Sequence, residues 1–240
     1  MNRAMFASAS GMAAQQQNLD VVADNLANAD VAGFKGAQAT FAAIGGNAQL
    51  GVASTGTREN FAQGKLMKSG GAFDVAIDGG GFFRVSRDGE AGFTRAGSFA
   101  RSTDGSLRTS EGWTLAGVRL PANAVDVMVT PDGEVRVHGR DGKERTIARI
   151  ALAAFDTPEK LRPIGSAVFG PTAASGHARA LPAGGDREPK LVFGMLEKSN
   201  VSIVESMMAI LAAQRAYEAN AKGVQAADEM LRIANNIHRS

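Results

Sequence analysis

Near the end of the chain, Ile203, Ile210, Tyr217, Val224 and Leu231 stand seven residues apart through five successive positions. A seven-residue repeat of large apolar side chains fits one stripe of a long helix and little else. Met207, Gln214 and Ala221 fill the seam between them. The pattern predicts a helix from about residue 200 to 237. Ser199 or Asn200 would cap it, and Glu205 in its opening turns favours the helix dipole. The beginning of the chain repeats the arrangement with Met5, Met12, Leu19 and Leu26, while Val22 and Ala29 continue a second seam. That predicts a helix over residues 3–28, roughly 39 Å long at 1.5 Å per residue.

The middle has a different texture. Residues 42–72 mix Gly, Ser and Thr with scattered apolar positions and read as an extended linker. Short runs with strand character follow: FDVAID (73–78), GFFRVS (81–86), WTLAGVRL (113–120), VDVMVT (125–130), EVRVH (134–138) and TIARIALAAF (146–155). Asp-Gly pairs at 88–89, 104–105, 132–133 and 141–142 punctuate them, a hairpin signal between alternating runs. Residues 170–190 read as a further loop. The fold class is therefore α+β. Long terminal helices (1–41 with its turn, and 197–240) form a coiled-coil-like domain, 42–72 is a linker, and 73–196 is an all-β domain. Gln15 and Gln214 within the seams suit register control in a helical assembly more than a dry core.

Little in the sequence offers chemistry. There is no Cys, which removes disulfides, thiolate metal sites and Cys nucleophiles together. His138, His177 and His238 stand alone, without HxH or HExxH spacing. Gly79-Gly80-Gly81 leads into another strand rather than a helix, so it reads as a tight turn and not a phosphate loop. The 26 basic residues nearly balance 24 acidic ones without a basic block, which excludes a polyanion-binding stripe. One Trp and one Tyr make no stacking platform for nucleic acid. The strongest apolar run, Met207 to Ala213, is far too short to span a bilayer. The N-terminal MNRAMFASASGMAAQQQNLD lacks the pattern of a signal peptide, so an uncleaved N-terminus is expected. No catalytic residue, cofactor or metal site is expected.

The first helix runs into NLANADVAGFKG (25–36). Asn25, Asn28 and Asp30 compete for backbone hydrogen bonds and favour a helix end. Gly33 is free to take positive φ, and Phe34 offers an anchor for the redirected chain. NLANADVAGFK closely resembles the N-terminal signature of the bacterial flagellar rod and hook family. DVAIDGGGFFRV and GFTRAGSF resemble that family's central segments, and LEKSNVSIVESMMAILAAQRAYEANAKGVQAADEML resembles its C-terminal helix.

The resemblance implies a structural subunit of the flagellar basal-body rod, needed for motility. In that family the terminal helices line an inner tube with the β-rich domain outside. The tube carries motor torque to the hook and passes exported subunits. Partners would be other rod subunits and copies of the chain itself, with hook or ring proteins, and the type III export apparatus in transit. No nucleic acid and no membrane insertion are implied. Subunit packing would fall to Met5, Met12, Leu19, Leu26, Ile203, Ile210, Tyr217, Val224 and Leu231, and chain redirection to Asn25, Asn28, Gly33 and Phe34. The short stretch between GFK and DVAI favours a proximal rod component, while QRAYEANAKGVQAADEML looks like the distal one. A soluble β-domain enzyme or ligand-binding protein, or a coiled-coil adaptor, is the alternative from the residues alone.

Overall fold

A computed structural model describes residues 3–45, 51–139, 142–185 and 188–237. His238 lies outside them. The chain divides into two compact units: residues 1–27, 37–60 and 201–240, and residues 28–36 with 61–200.

The first unit is built from helix α1 (Arg3–Ala27), helix α2 (Ile203–Ile237) and a hairpin of strands β1 (Ala37–Ile44) and β2 (Gly51–Glu59). The helices run antiparallel. A methyl group on Gly11 would fall 2.9 Å from Nδ2 of Asn220, and one on Gly223 would fall 2.9 Å from Oγ of Ser8. Both pairs of numbers share one sum, which fixes the direction and the register. The absent side chains let the two backbones approach closely. The residues of α2 buried most deeply are Ser206, Ala213 and Ala227. These three share one face, seven or fourteen residues apart, with Asn220 completing the row. The tightest seam of α2 is therefore a row of small residues one position before Met207, Gln214 and Ala221.

The start of α2 also differs from expectation. Its cap is Ser202, whose Oγ accepts the Glu205 N–H at 3.3 Å. With Glu205 at the third helical position, this is the Ser-x-x-Glu arrangement of a helix start. The expected caps sit too early, and Asn200 is occupied elsewhere.

The hairpin is the main departure from the sequence reading. Residues 42–72, expected as an extended linker, contain the end of β1, all of β2 and a short strand, Leu66–Lys68. Ala37 and Ala39 alternate with Gln38 and Thr40 at the start of β1, and the hairpin gains support from α1: Ser10 Oγ accepts the Val52 N–H at 3.2 Å. Support of this kind is tertiary and leaves no local signal.

The strands described in the second unit all pair antiparallel. A nine-stranded sheet runs, in order, through Arg162–Pro163, Val168–Gly170, Glu90–Thr94, Phe82–Arg87, Thr114–Arg119, Ser106–Arg108 and Ala100–Arg101. Leu152–Ala154 also pairs with Phe82–Arg87, and Arg179–Leu181 pairs with Leu152–Ala154. Ala124–Val129, Glu134–Gly139 and Glu144–Arg149 make a three-stranded meander. The expected single run 146–155 is split, because buried Ile150 donates its N–H to Gly133 O and breaks the strand there.

Successive side chains of a strand face opposite ways, so the Phe82-Phe83 doublet feeds two cores. Phe83 joins Val85, Trp113, Leu115 and Val135 on one side. Phe82 joins Phe93, Phe155 and Phe169 on the other, with Phe61 edge-on to Phe82 at 5.3 Å and to Phe169 at 5.0 Å. Two strand pairs complete the unit: Val75–Asp78 with Lys190–Phe193, and Leu66–Lys68 with Met195–Glu197.

Candidate structural clamp and assembly surface

Segment 28–36 has no regular secondary structure, yet Ala29, Gly33, Phe34 and Lys35 in it are buried. Asn25 begins the redirection within the first unit. Its Nδ2 donates to Ala37 O at 2.7 Å, and its Oδ1 accepts the Ala37 N–H at 2.8 Å. One amide side chain thus supplies both hydrogen bonds of a strand neighbour and holds the first residue of β1 beside the end of α1. The Val31 N–H bonds to Asn28 O and closes a turn.

Gly33 then takes φ +71°, and a Cβ there would lie 2.2 Å from the Ala96 nitrogen. Its N–H donates to Glu197 O at 2.8 Å. Phe34 is buried, with 7 % of its surface exposed.

The segment ends in a buried ion cluster that the sequence reading missed. Lys35 Nζ lies 2.6 Å from Glu197 Oε1 and donates also to Ala62 O at 2.7 Å. Arg95 Nε donates to Glu197 Oε2 at 2.8 Å, and its Nη1 reaches Gly79 O at 2.8 Å and Gly81 O at 2.7 Å. Glu197 Oε1 takes a further N–H from Gly64 at 2.8 Å. The side chains of Lys35 and Glu197 are wholly buried, and that of Arg95 almost so. Burial pushes the Lys35 ammonium below its usual range, and Glu197 opposes the shift. Arg95 is likewise lowered by burial, with Glu197 opposing.

Two cations share one carboxylate, and every leg comes from a segment singled out in the sequence: GFK, GFTRAGSF and LEKSNV. Asn200 of the last of these accepts the Gly36 N–H at 2.8 Å and donates to Ala62 O at 3.0 Å. Such a saturated network binds chain to chain. It presents no displaceable proton or open coordination site. Among the described residues no group of three or more His, Asp or Glu is placed to hold a metal. His138 is exposed in a strand opposite Asp126 and Glu144, and His177 is exposed in a loop.

The residues expected to pack subunits fall into two sets. Met5, Met12, Leu19, Leu26, Ile210 and Val224 are half-buried within the first unit, whereas Ile203, Tyr217 and Leu231 are exposed. The larger uncovered apolar area lies on other residues of α2. Val204 is 67 % exposed, Met207 53 %, Met208 58 % and Leu211 56 %, and Met230 and Ile233 continue beyond. Val204, Met208 and Leu211 are spaced i, i+4, i+7 and form one stripe. A scan for long sevenfold repeats passes over this stripe because the repeat turns polar after one heptad, at Arg215 and Glu218.

A saturated ionic clamp, and a helix packed along one face with an apolar stripe left open on another, are features of the class of assembly subunits. Comparison with known proteins identifies which. Residues 5–35 match the model of flagella basal body rod proteins, residues 76–137 the D1 domain of flagellar hook protein FlgE/F/G, and residues 193–237 the C-terminal region of flagellar basal body rod FlgEFG proteins. The chain is 36 % identical to the flagellar basal-body rod protein FlgG of Borreliella burgdorferi over all of both chains. It is 34 % identical to FlgG of Agrobacterium fabrum, covering 97 % of this chain and 98 % of that one. With flagellar basal-body rod protein FlgF of Caulobacter vibrioides it shares 31 % identity over 98 % of this chain and 97 % of the relative.

The chain belongs to the flagellar basal-body rod family, a family of structural proteins of the basal body and not of enzymes. The expected preference for a proximal component gains no support from these relatives. FlgG is a distal rod protein, and FlgG relatives match the chain end to end.

Proposed function

We propose that this chain is a distal-type subunit of the rod tube. Copies and related rod subunits join through α1 and α2, whose helices line the inner wall in coiled-coil-like contact. The tube carries motor torque across the periplasm to the hook and passes later subunits through its channel. The chain itself travels through the flagellar type III export apparatus. It meets ring or hook proteins where the tube passes or ends at them. The FlgG relatives support the distal assignment.

One observation carries the packing reading: the stripe of Val204, Met208 and Leu211 on a helix whose other face already has a partner. Uncovered apolar area of this kind marks an interaction surface. Because the three side chains are exposed in the single chain, replacing one with a charge leaves the subunit fold intact and acts on assembly alone. Val204→Asp and Met208→Asp should give a folded, stable protein and non-motile cells whose basal bodies stop before the hook. Normal motility in both variants would refute the assignment of this stripe.

A further inference from the structure

Segment 28–36 owes its order to residues far along the chain. Two turn contacts join its own backbone groups, Val31 N–H to Asn28 O at 3.1 Å and Phe34 N–H to Val31 O at 3.3 Å. Its strong contacts lie elsewhere: Gly33 on the Arg95-Ala96 backbone and on Glu197 O, Lys35 on Glu197 and Ala62 O, and Gly36 on Asn200. The Lys35–Glu197 contact spans 162 positions of sequence. A nine-residue stretch without a helix or strand cannot offset its own ordering entropy with two turn contacts.

We infer that residues 28–36 form a late-closing latch. The segment stays open until strand Met195–Glu197 and Asn200 are in place, and it then closes around the buried Glu197 carboxylate. Contacts at such sequence separation form late because loop closure precedes them. The motif that ends α1 is then the last part of the second unit to set. The β cores around Phe83 and Phe82 need no residue of 28–36. The latch therefore opens without dissolving the unit that holds it.

Native-state hydrogen exchange on the purified full-length chain tests this directly, because it reads the isolated protein and does not depend on the rod reading. Asn200→Ala removes the Gly36 acceptor without leaving a buried charge. It should speed exchange of the Gly33 and Gly36 amides at least tenfold while amides in Thr114–Arg119 and Glu134–Gly139 keep wild-type rates. Glu197→Gln should produce a larger change in the same two amides, at least tenfold beyond any change in those strands. If Glu197→Gln loosens the whole unit uniformly, Asn200→Ala decides. Wild-type exchange at Gly33 and Gly36 in Asn200→Ala, or an equal rise across the strands, would overturn the latch.

Discussion

Glu197→Gln is the most informative perturbation of the clamp, and its cost follows from the charges around it. In the wild type two cations, Lys35 and Arg95, meet one carboxylate in a site closed to solvent. Neutralising that carboxylate strands the buried Lys35 ammonium and leaves Arg95 only the weaker attraction of Asp78. Breaking a buried pair in this way costs about 3–5 kcal/mol. Lys35→Met acts differently. It leaves Glu197 paired one-to-one with Arg95, and Ala62 O keeps its bond from Asn200. Two bonds from the ammonium are lost, to Glu197 Oε1 and to Ala62 O, while a buried ammonium that pays for its desolvation is exchanged for an apolar side chain of similar size. The net cost should be about 1 kcal/mol or less.

The two substitutions must also couple. In a Glu197→Gln background Lys35→Met removes one stranded cation and should restore about 1–2 kcal/mol, reversing its sign. Trp113 is the only Trp, is fully buried, and lies in the second unit, so its fluorescence during urea unfolding reports this unit. A Lys35→Met effect that is the same in both backgrounds would show that Lys35 and Glu197 do not act together, and the reasoning would fail.

Gly33→Ala should destabilise the second unit by at least ~1–2 kcal/mol from its left-handed φ alone, with the clash against Ala96 adding to it; a urea midpoint equal to wild type would contradict the observed φ. Glu59 gives a pH dependence in the first unit. Burial first, and then the nearby Asp24 carboxylate, raise its pKa from 4.5 to about 7. The folded state therefore holds a proton that the unfolded state releases, so this stabilisation is present in full below about pH 4.5 and is lost as pH rises through 7. Screening at a half-buried group reduces the effect to about 1 kcal/mol. Helical circular dichroism, which reports α1 and α2, should show a lower melting temperature at pH 8 than at pH 5, and Glu59→Gln should remove that difference.

The terminal helices were legible because their signal is repetitive and local. Residues 3–28 and about 200–237 in sequence became Arg3–Ala27 and Ile203–Ile237 in structure. The five runs expected between 73 and 138 became strands shifted by a residue or two at their ends, since half-buried β leaves a period of two, whereas Glu90–Thr94, Ala100–Arg101 and Ser106–Arg108 were not expected. What escaped has physical reasons. The small-residue seam of Ser206, Ala213 and Ala227 is silent in any search for large apolar residues. The β1–β2 hairpin depends on α1 for its support. Lys35, Arg95 and Glu197 look like ordinary surface charges one at a time, and only folding across 162 positions brings the outer two together. The redirecting Asn25 and Gly33 were visible as turn chemistry, but their partners, Ala37 and Ala96, were not.

The central claim is that α2 presents its uncovered stripe to neighbouring copies or related rod subunits. A photoreactive benzophenone side chain at Met208, expressed in motile cells and activated in isolated basal bodies, tests it most directly. The account predicts adducts to the terminal helices of a second rod subunit, with peptides from within 3–27 or 203–237 of this chain or their counterparts in related rod proteins. Assembled, functional rods in which Met208 captures only its own chain, or nothing, would contradict it.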